Sequence, residues 1–216
     1  MFKTGIYNVD RNFSTTQGEE KGLNPPQLLT FNSDTKSQSE QVLRYMIESS
    51  EFEKKTYITT MLSQKNIKQT FKQSPIISDI TQIISVVGKQ GKPDKIINAL
   101  REAPKNSLFV IDTVTDIELS NNRNTFIKFI NKVVKIMHEK NLFIICNRLN
   151  TDTNNSKILY TNSDSVFDVY KEETASDIYE HRMSIQKLRG YGQFKEIIKL
   201  QPDGDKLSTD SSRGIA

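Results

Sequence analysis

Between Ser107 and Cys146 the chain alternates a short apolar run, an amphipathic segment and a second apolar run, and this stretch constrains the fold more than any other. Ser107 to Asp112 is too short and too rich in β-branched residues for a helix, so it reads as a strand ending on a carboxylate. From Asn124 to Lys140, Phe126, Phe129, Ile130, Val133 and Met137 recur at helical spacing on one face. Leu142 to Cys146 is apolar at every position, the pattern of a central strand buried on both sides. Strand, helix and strand in that order make a right-handed βαβ unit with parallel strands.

The same alternation runs upstream. Leu28 to Phe31 is a first strand, followed by a polar stretch from Asn32 to Ser39 and a helix from Glu40 to Ser49 carrying Val42, Leu43, Met46 and Ile47. Thr56 to Thr60 and Ile83 to Val87 are the second and third strands, and Pro93 to Glu102 is a helix with proline near its start and Pro104 at its end. After a polar loop from Asn147 to Lys157 the pattern changes. Ser165 to Tyr170, His181 to Lys187, Phe194 to Leu200 and Lys206 to Thr209 leave no room for long helices, and Pro202, Asp203 and Gly204 supply a hairpin turn. The expected fold is α/β, with a mostly parallel central sheet covered on both faces and antiparallel C-terminal strands appended. No internal repeat interrupts it, and 216 residues suit a single domain spanning 1–216.

Composition narrows the function classes. No apolar run approaches the roughly 20 residues of a bilayer span, and Met1 to Asn12 lacks the basic and apolar regions of a signal peptide, so a cytoplasmic protein without a membrane span is expected. One cysteine excludes an internal disulfide, and two histidines argue against a zinc site. The net charge of +4, from 30 basic and 26 acidic residues, permits contact with nucleic acid without making a polybasic tail.

In a sheet of this kind ligands bind beyond the carboxyl ends of the strands, which directs attention to the loop from Asn32 to Ser39. A phosphate-binding loop needs glycines to curl its N–H groups, a lysine for the phosphate oxygens and a hydroxyl for magnesium. This loop has no glycine. Ser37, Gln38, Ser39 and Glu40 instead spell an S-x-x-E capping box, and a carboxylate at the positive helix end repels phosphate. Lys36 could still supply charge from within the loop. Asp112 ends its strand where a magnesium-water ligand would stand in a nucleotide site, although aspartate also commonly caps the next turn. Asp116 and Glu118 read as solvated or capping. Lys128, Lys132 and Lys135 form a stripe that is either a solvated face or a nucleic-acid contact. His138 and His181 have no partners at ligand spacing and read as non-catalytic, and Cys146 reads as a small core residue. Lys187 and Arg189 share a strand face if the strand stays extended, where they would meet an anion or solvent.

Thr4, Gly5, Ile6 and Asp10 look like a T-G-I-x-x-L-D opening with Val9 in place of leucine, and Gly22, Leu23, Asn24, Pro25, Pro26 and Gln27 like a G-G-I-P-P-G turn. Leu28 to Phe31 is similar to a strand feeding a P-loop, Thr56 to Thr60 to the second strand, Ser107 to Asp112 to a Walker B strand, and Lys187, Leu188, Arg189 and Gly190 to a K-x-R-G segment. In this order, over most of the chain, the motifs resemble the KaiC-like branch of the RecA/RadA ATPase superfamily, particularly archaeal KaiC-like and FlaH-like proteins of the P-loop NTPase superfamily. The resemblance implies a RecA-like three-layer α/β/α fold.

It also implies a degenerate nucleotide site. Aligned by the following helix, Ser39 falls at the Walker lysine, Glu40 at the magnesium-binding hydroxyl and Gln38 at the last glycine, while Met61 and Leu62 stand where the family carries its catalytic glutamate pair. Asp112 survives, and Lys187 and Arg189 match residues that in KaiC-type hexamers reach a neighbour's nucleotide. The implied remnant site is therefore Lys36, Ser37, Ser39, Asp112, Lys187 and Arg189, with no catalytic residue and no metal-ligand set. No cofactor is expected unless that site still binds ATP with magnesium. The expected function is a non-hydrolysing, regulatory or signalling pseudo-ATPase that binds a protein partner or related RecA-fold subunits, itself included, with weak or no nucleic-acid binding. Two alternatives stay open: a weak ATPase using Lys36 in an unorthodox loop, and a recombination-accessory, DNA-binding RecA paralogue.

Overall fold

The computed structural model describes residues 1–10, 13, 22–34, 39–72, 82–151, 155–173, 179–190, 197–203 and 206–210. Among these, five parallel strands form the centre: β1 (Gln27–Ser33), β2 (Lys55–Thr59), β3 (Gln82–Ser85), β4 (Leu108–Asp112) and β5 (Phe143–Leu149). A sixth, β6 (Ser165–Glu173), runs parallel to β1, and β7 (Tyr179–Leu188), β8 (Ile197–Asp203) and β9 (Lys206–Asp210) extend the sheet antiparallel. The order is β3-β2-β4-β5-β1-β6-β7-β8-β9, so β5 is central as its unbroken apolar run predicts.

The helices are α1 (Tyr7–Asp10), α2 (Ser39–Ser49), α3 (Gln64–Lys72), α4 (Lys92–Glu102), α5 (Thr115–Ser120), α6 (Arg123–Lys140) and α7 (Ser156–Asn162). They divide between the two faces of the sheet because successive strand side chains point opposite ways. Leu29 and Phe31 of β1 pack with Val42, Leu43, Met46 and Ile47 of α2 and Ile67 of α3. Leu28 joins the other core, built from Ile96, Ile97 and Leu100 of α4, Phe126, Ile130 and Val133 of α6, and Leu159 of α7. The resulting three layers are those of the expected α/β/α sandwich.

Local chemistry sets the element ends. The Asn122 side chain accepts from the Thr125 N–H to open α6, and Asn141 takes a left-handed φ of 55° to close it, its N–H reaching back to the carbonyls of Met137 and His138. The N-terminal Thr4, Gly5, Ile6 and Asp10 form a closed turn. One Asp10 carboxylate oxygen accepts from the Thr4 N–H and hydroxyl, both at 2.8 Å, and the other from the Gly5 N–H at 3.0 Å. Gly5 is required there: its φ is +74°, and a Cβ would fall 2.0 Å from Ser49 Oγ at the end of α2.

Two departures from the sequence reading matter for function. The two ends of the expected polar loop from Asn147 to Lys157 belong to regular elements, and 152–154 lie outside the described residues. β5 continues through Asn147, Arg148 and Leu149, because the first two find buried polar partners, and α7 begins at Ser156. The α7 segment carries little helical periodicity, with Leu159 its one fully buried residue. The hairpin turn falls between β8 and β9, with Pro202 and Asp203 inside β8; Gly204 lies outside the described residues.

Candidate functional site

Tyr57, Asp112, Asn147 and Ser33 lie at or near the carboxyl ends of four strands and face α2. The register explains this. Tyr57 pairs with Val110, Asp112 with Asn147, and Phe31 with Asn147, so alternate residues of β2, β4, β5 and β1 share the α2 side. Both Asp112 carboxylate oxygens are engaged. Oδ1 accepts from Asn147 Nδ2 at 2.6 Å, and Oδ2 accepts from the Tyr57 hydroxyl. Asn147 Oδ1 in turn accepts from Ser33 Oγ at 3.2 Å. No cation donates to this carboxylate among the bonds described, and burial raises its pKa above the ordinary carboxylate range, partly offset by the two hydrogen bonds. Burial and the neighbouring Asp112 charge push the Tyr57 phenol well above its ordinary value.

At the start of α2, Ser39 is buried and Glu40 is exposed, pairing with Arg44 one turn along at 3.1 Å. The charge of Glu40 opposes ionisation of Asp112 and that of Arg44 favours it. Lys36 and Ser37 lie outside the described residues, and so does the Ser37 half of the capping box. Beyond β2, the Met61 and Leu62 N–H groups both donate to Thr59 Oγ1, leaving the Met61 side chain 55% exposed and Leu62 packed on the α2-side core.

A second polar cluster faces the other way. Arg148, adjacent to Asn147 on β5, points to the α6 and α7 side and is 1% exposed. Its Nε donates to Glu118 of α5 at 2.9 Å, its Nη2 to the Thr151 carbonyl at 2.6 Å, and its guanidinium lies 5.9 Å from the Tyr160 ring centroid. Asn32 Nδ2 donates to the Tyr160 hydroxyl and, at 2.5 Å, to Asp168 Oδ1 on β6. Glu118 is therefore not the solvated or capping residue expected from sequence. It is fully buried because α5 turns it inward onto the guanidinium. Asp116, one residue before Ile117 of the core, meets Lys92 at 2.5 Å and ties α5 to α4.

Lys187 and Arg189 are not brought to Asp112 by any described contact. Lys187 Nζ donates to the Tyr160 and Thr161 carbonyls near the end of α7, at 2.9 and 3.3 Å, a favourable place for a cation. Arg189 lies past the end of β7, so the shared strand face does not form; its Nη1 pairs with Asp164 at 3.0 Å. Cys146 is a fully buried core residue, its thiol pushed by burial up to about 12. Lys128, Lys132 and Lys135 are exposed on α6, with Lys132 3.9 Å from Asp94 and Lys135 3.7 Å from Glu139. Among the described residues no helix is long and apolar enough to cross a membrane.

Sequence reasoning missed Tyr57, Asn147 and Arg148. Ending the fifth strand at Cys146 hid the last two; the signal available was an Asn-Arg pair directly after an all-apolar central strand, where a doubly wound sheet places its ligand groups.

The fold is shared with the flagellar accessory protein FlaH from Methanocaldococcus jannaschii, whose crystal structure superposes at a TM-score of 0.71 over 94% of this chain and 95% of that one, at 12% sequence identity. That likeness bears out the RecA-type, KaiC-like architecture. No curated protein matches the chain by sequence. A family model does, over residues 1–216, and the chain thus belongs to the family of unknown function DUF7125.

Proposed function

We propose that this chain is a RecA-fold protein that does not hydrolyse ATP and works by binding other proteins as a regulatory subunit. The observation that carries the first half is the state of Asp112, whose two carboxylate oxygens are bonded to the Tyr57 hydroxyl and the Asn147 amide. A magnesium-water ligand turns its carboxylate toward the metal's water shell, and here both oxygens already accept from neutral donors of the sheet. The surroundings agree. Glu40 places a carboxylate, paired with Arg44, at the start of α2 where a phosphate would sit. Met61 and Leu62 offer no base to activate water. These features speak against Mg-ATP among the described residues, which do not include Lys36 and Ser37, and no catalytic step is assigned to them.

The second half is supported by the fold neighbour, whose name is that of an accessory protein. A role beside other proteins suits a sheet that has kept its architecture while its carboxyl edge has turned to internal hydrogen bonding. The DNA-binding alternative gains no support from α6, where two of the three stripe lysines lie within reach of carboxylates.

Calorimetry with Mg-ATP together with a phosphate-release assay tests the reading. No saturable heat and no release are expected. Micromolar binding with turnover that Asp112→Asn abolishes would replace it with the weak-ATPase reading.

A further inference from the structure

Among the described residues only three large apolar side chains are exposed: Met61 at 55%, Val87 at 38% and Leu119 at 65%. Singly, exposed apolar residues need no explanation. These three, however, all follow the carboxyl ends of adjacent strands, Met61 after β2, Val87 after β3 and Leu119 on α5 after β4.

The segments that carry them are fastened to one another. The Val86 N–H donates to the Thr59 carbonyl at 2.9 Å, and Ser85 Oγ to the Leu62 carbonyl at 2.9 Å, joining the β3 and β2 exits. Thr60 Oγ1 donates to the Thr113 carbonyl at 2.9 Å, joining the β2 and β4 exits. Asp116 and Leu119, three apart on α5, share its outer side, and Asp116 meets Lys92 at the start of α4. The apolar side chains are thus presented on a held edge.

The rim of this edge is basic. Lys65 and Lys68 of α3 and Lys89 of the β3–α4 loop are exposed, and none has an ion-pair partner among the described residues. Lys65 and Lys68 also line a surface groove of about 590 Å³ with Gln64 and Gln69. On the same edge Asp116 is already neutralised by Lys92, Glu118 is buried against Arg148, and Asp94, exposed in the first turn of α4, lies 3.9 Å from Lys132.

We infer that the carboxyl edge over β3, β2 and β4 docks an acidic segment of another protein, its apolar side chains meeting Met61, Val87 and Leu119 and its carboxylates meeting Lys65, Lys68 and Lys89. Apolar anchors inside a charged rim are the usual anatomy of a protein contact, and the sign of this rim selects the sign of the partner. This surface deepens the partner-binding reading above and rests on it, but does not depend on the state of the nucleotide site.

The test pans a random peptide library displayed on phage against the full chain without nucleotide, then titrates synthetic copies of the enriched peptides by fluorescence anisotropy. Enriched peptides should carry Leu, Met or Phe among Asp and Glu. Their affinity should fall roughly tenfold or more in M61S/L119S, and again in K65E/K68E, with both variants melting as the parent does. No enrichment, basic or neutral peptides, or binding indifferent to both pairs of changes overturns the assignment. So does self-association in sedimentation that M61S/L119S abolishes, which would make a second copy the occupant, or displacement of the peptide by a short DNA duplex. Turnover of Mg-ATP would overturn the non-hydrolysing half of the proposed function and leave this surface standing, whereas failed panning would do the reverse.

Discussion

Asn147 and Arg148 are neighbours on β5, yet they lead into two polar clusters built on different principles. On the α2 side the Asp112 carboxylate is held by an amide and a phenol, both neutral, and its charge is unmatched within those bonds. On the other side the Glu118 carboxylate, more deeply buried than Asp112, meets a guanidinium at 2.9 Å. Burial favours the protonated form of the first carboxylate, an effect its neutral donors offset only in part, whereas a paired one becomes a tie that costs heavily to break from one end. The first cluster joins β2, β4, β5 and β1 near their carboxyl ends. The second joins β5 to α5 and to the segment after β5 through Glu118 and the Thr151 carbonyl.

The contrast is tested most strongly at Arg148. Arg148→Met leaves Glu118 buried without its partner and should cost about 3–5 kcal/mol in urea unfolding. The double variant Glu118→Leu with Arg148→Met removes both charges and should recover most of that loss, since well-packed apolar replacements of buried pairs are commonly tolerated. A single variant as stable as the parent would show that the pair holds nothing together.

Tyr57→Phe examines the neutral cluster and should have a smaller effect. It deletes the hydroxyl that donates to Asp112 Oδ2 and leaves a buried acceptor unsatisfied, for an expected loss of about 1–3 kcal/mol by chemical denaturation. Calorimetry of this variant with Mg-ATP should stay silent, because Asn147 and the charge of Glu40 remain. Saturable magnesium-dependent binding in Tyr57→Phe would mean that the phenol alone closes the site.

The Asp112 cluster also carries a pH dependence. The folded-state pKa of Asp112 lies above its ordinary value, so the native state binds the proton more tightly than the unfolded chain does. Its contribution to stability is complete below the ordinary carboxylate value and is lost as pH rises through the raised one. Asp112→Asn removes that titration, and the fall in melting temperature as pH rises above the ordinary carboxylate range should be shallower than in the parent. Asp10 and Asp168, also raised by burial, titrate in both proteins and cancel in the comparison. Parallel curves would show that Asp112 titrates alike in the folded and unfolded chains.

What the sequence makes legible follows from how each feature is encoded. The strands and helices of the parallel half are written in local periodicity, as with Phe126, Phe129, Ile130, Val133 and Met137 of α6, and their order carries the fold. The carboxylate ending β4 is legible too, since Asp112 closes an apolar run. Its fate is not, because Tyr57 is 55 residues away and joins it only through strand pairing. Glu118 and Arg148 read as ordinary charged residues for the same reason: the salt bridge spans 30 residues, and nothing local marks either as buried. α7 has one fully buried anchor, too little for a periodic signal.

The smallest expected effect is on the outer surface of the layer that covers Arg148. Lys128, Lys132 and Lys135 are exposed on α6, where the Lys132 contact to Asp94 at 3.9 Å and the Lys135 contact to Glu139 at 3.7 Å are surface pairs in full reach of solvent. Such pairs contribute at most about 1 kcal/mol, because water screens the attraction and two long side chains must be ordered to hold it. Changing all three lysines to Glu replaces one i,i+4 attraction with a repulsion of similar size, a few tenths of a kcal/mol. Thermal and urea unfolding of the triple variant should therefore stay within about 1 kcal/mol of the parent. Anisotropy with single- and double-stranded oligonucleotides across a salt series should show no more than weak association for either protein, in the range of about 10⁻⁴ to 10⁻⁶ M at physiological salt. Submicromolar binding by the parent that the triple variant loses would turn the stripe from a solvated face into a nucleic-acid contact, and the recombination-accessory reading would then take precedence.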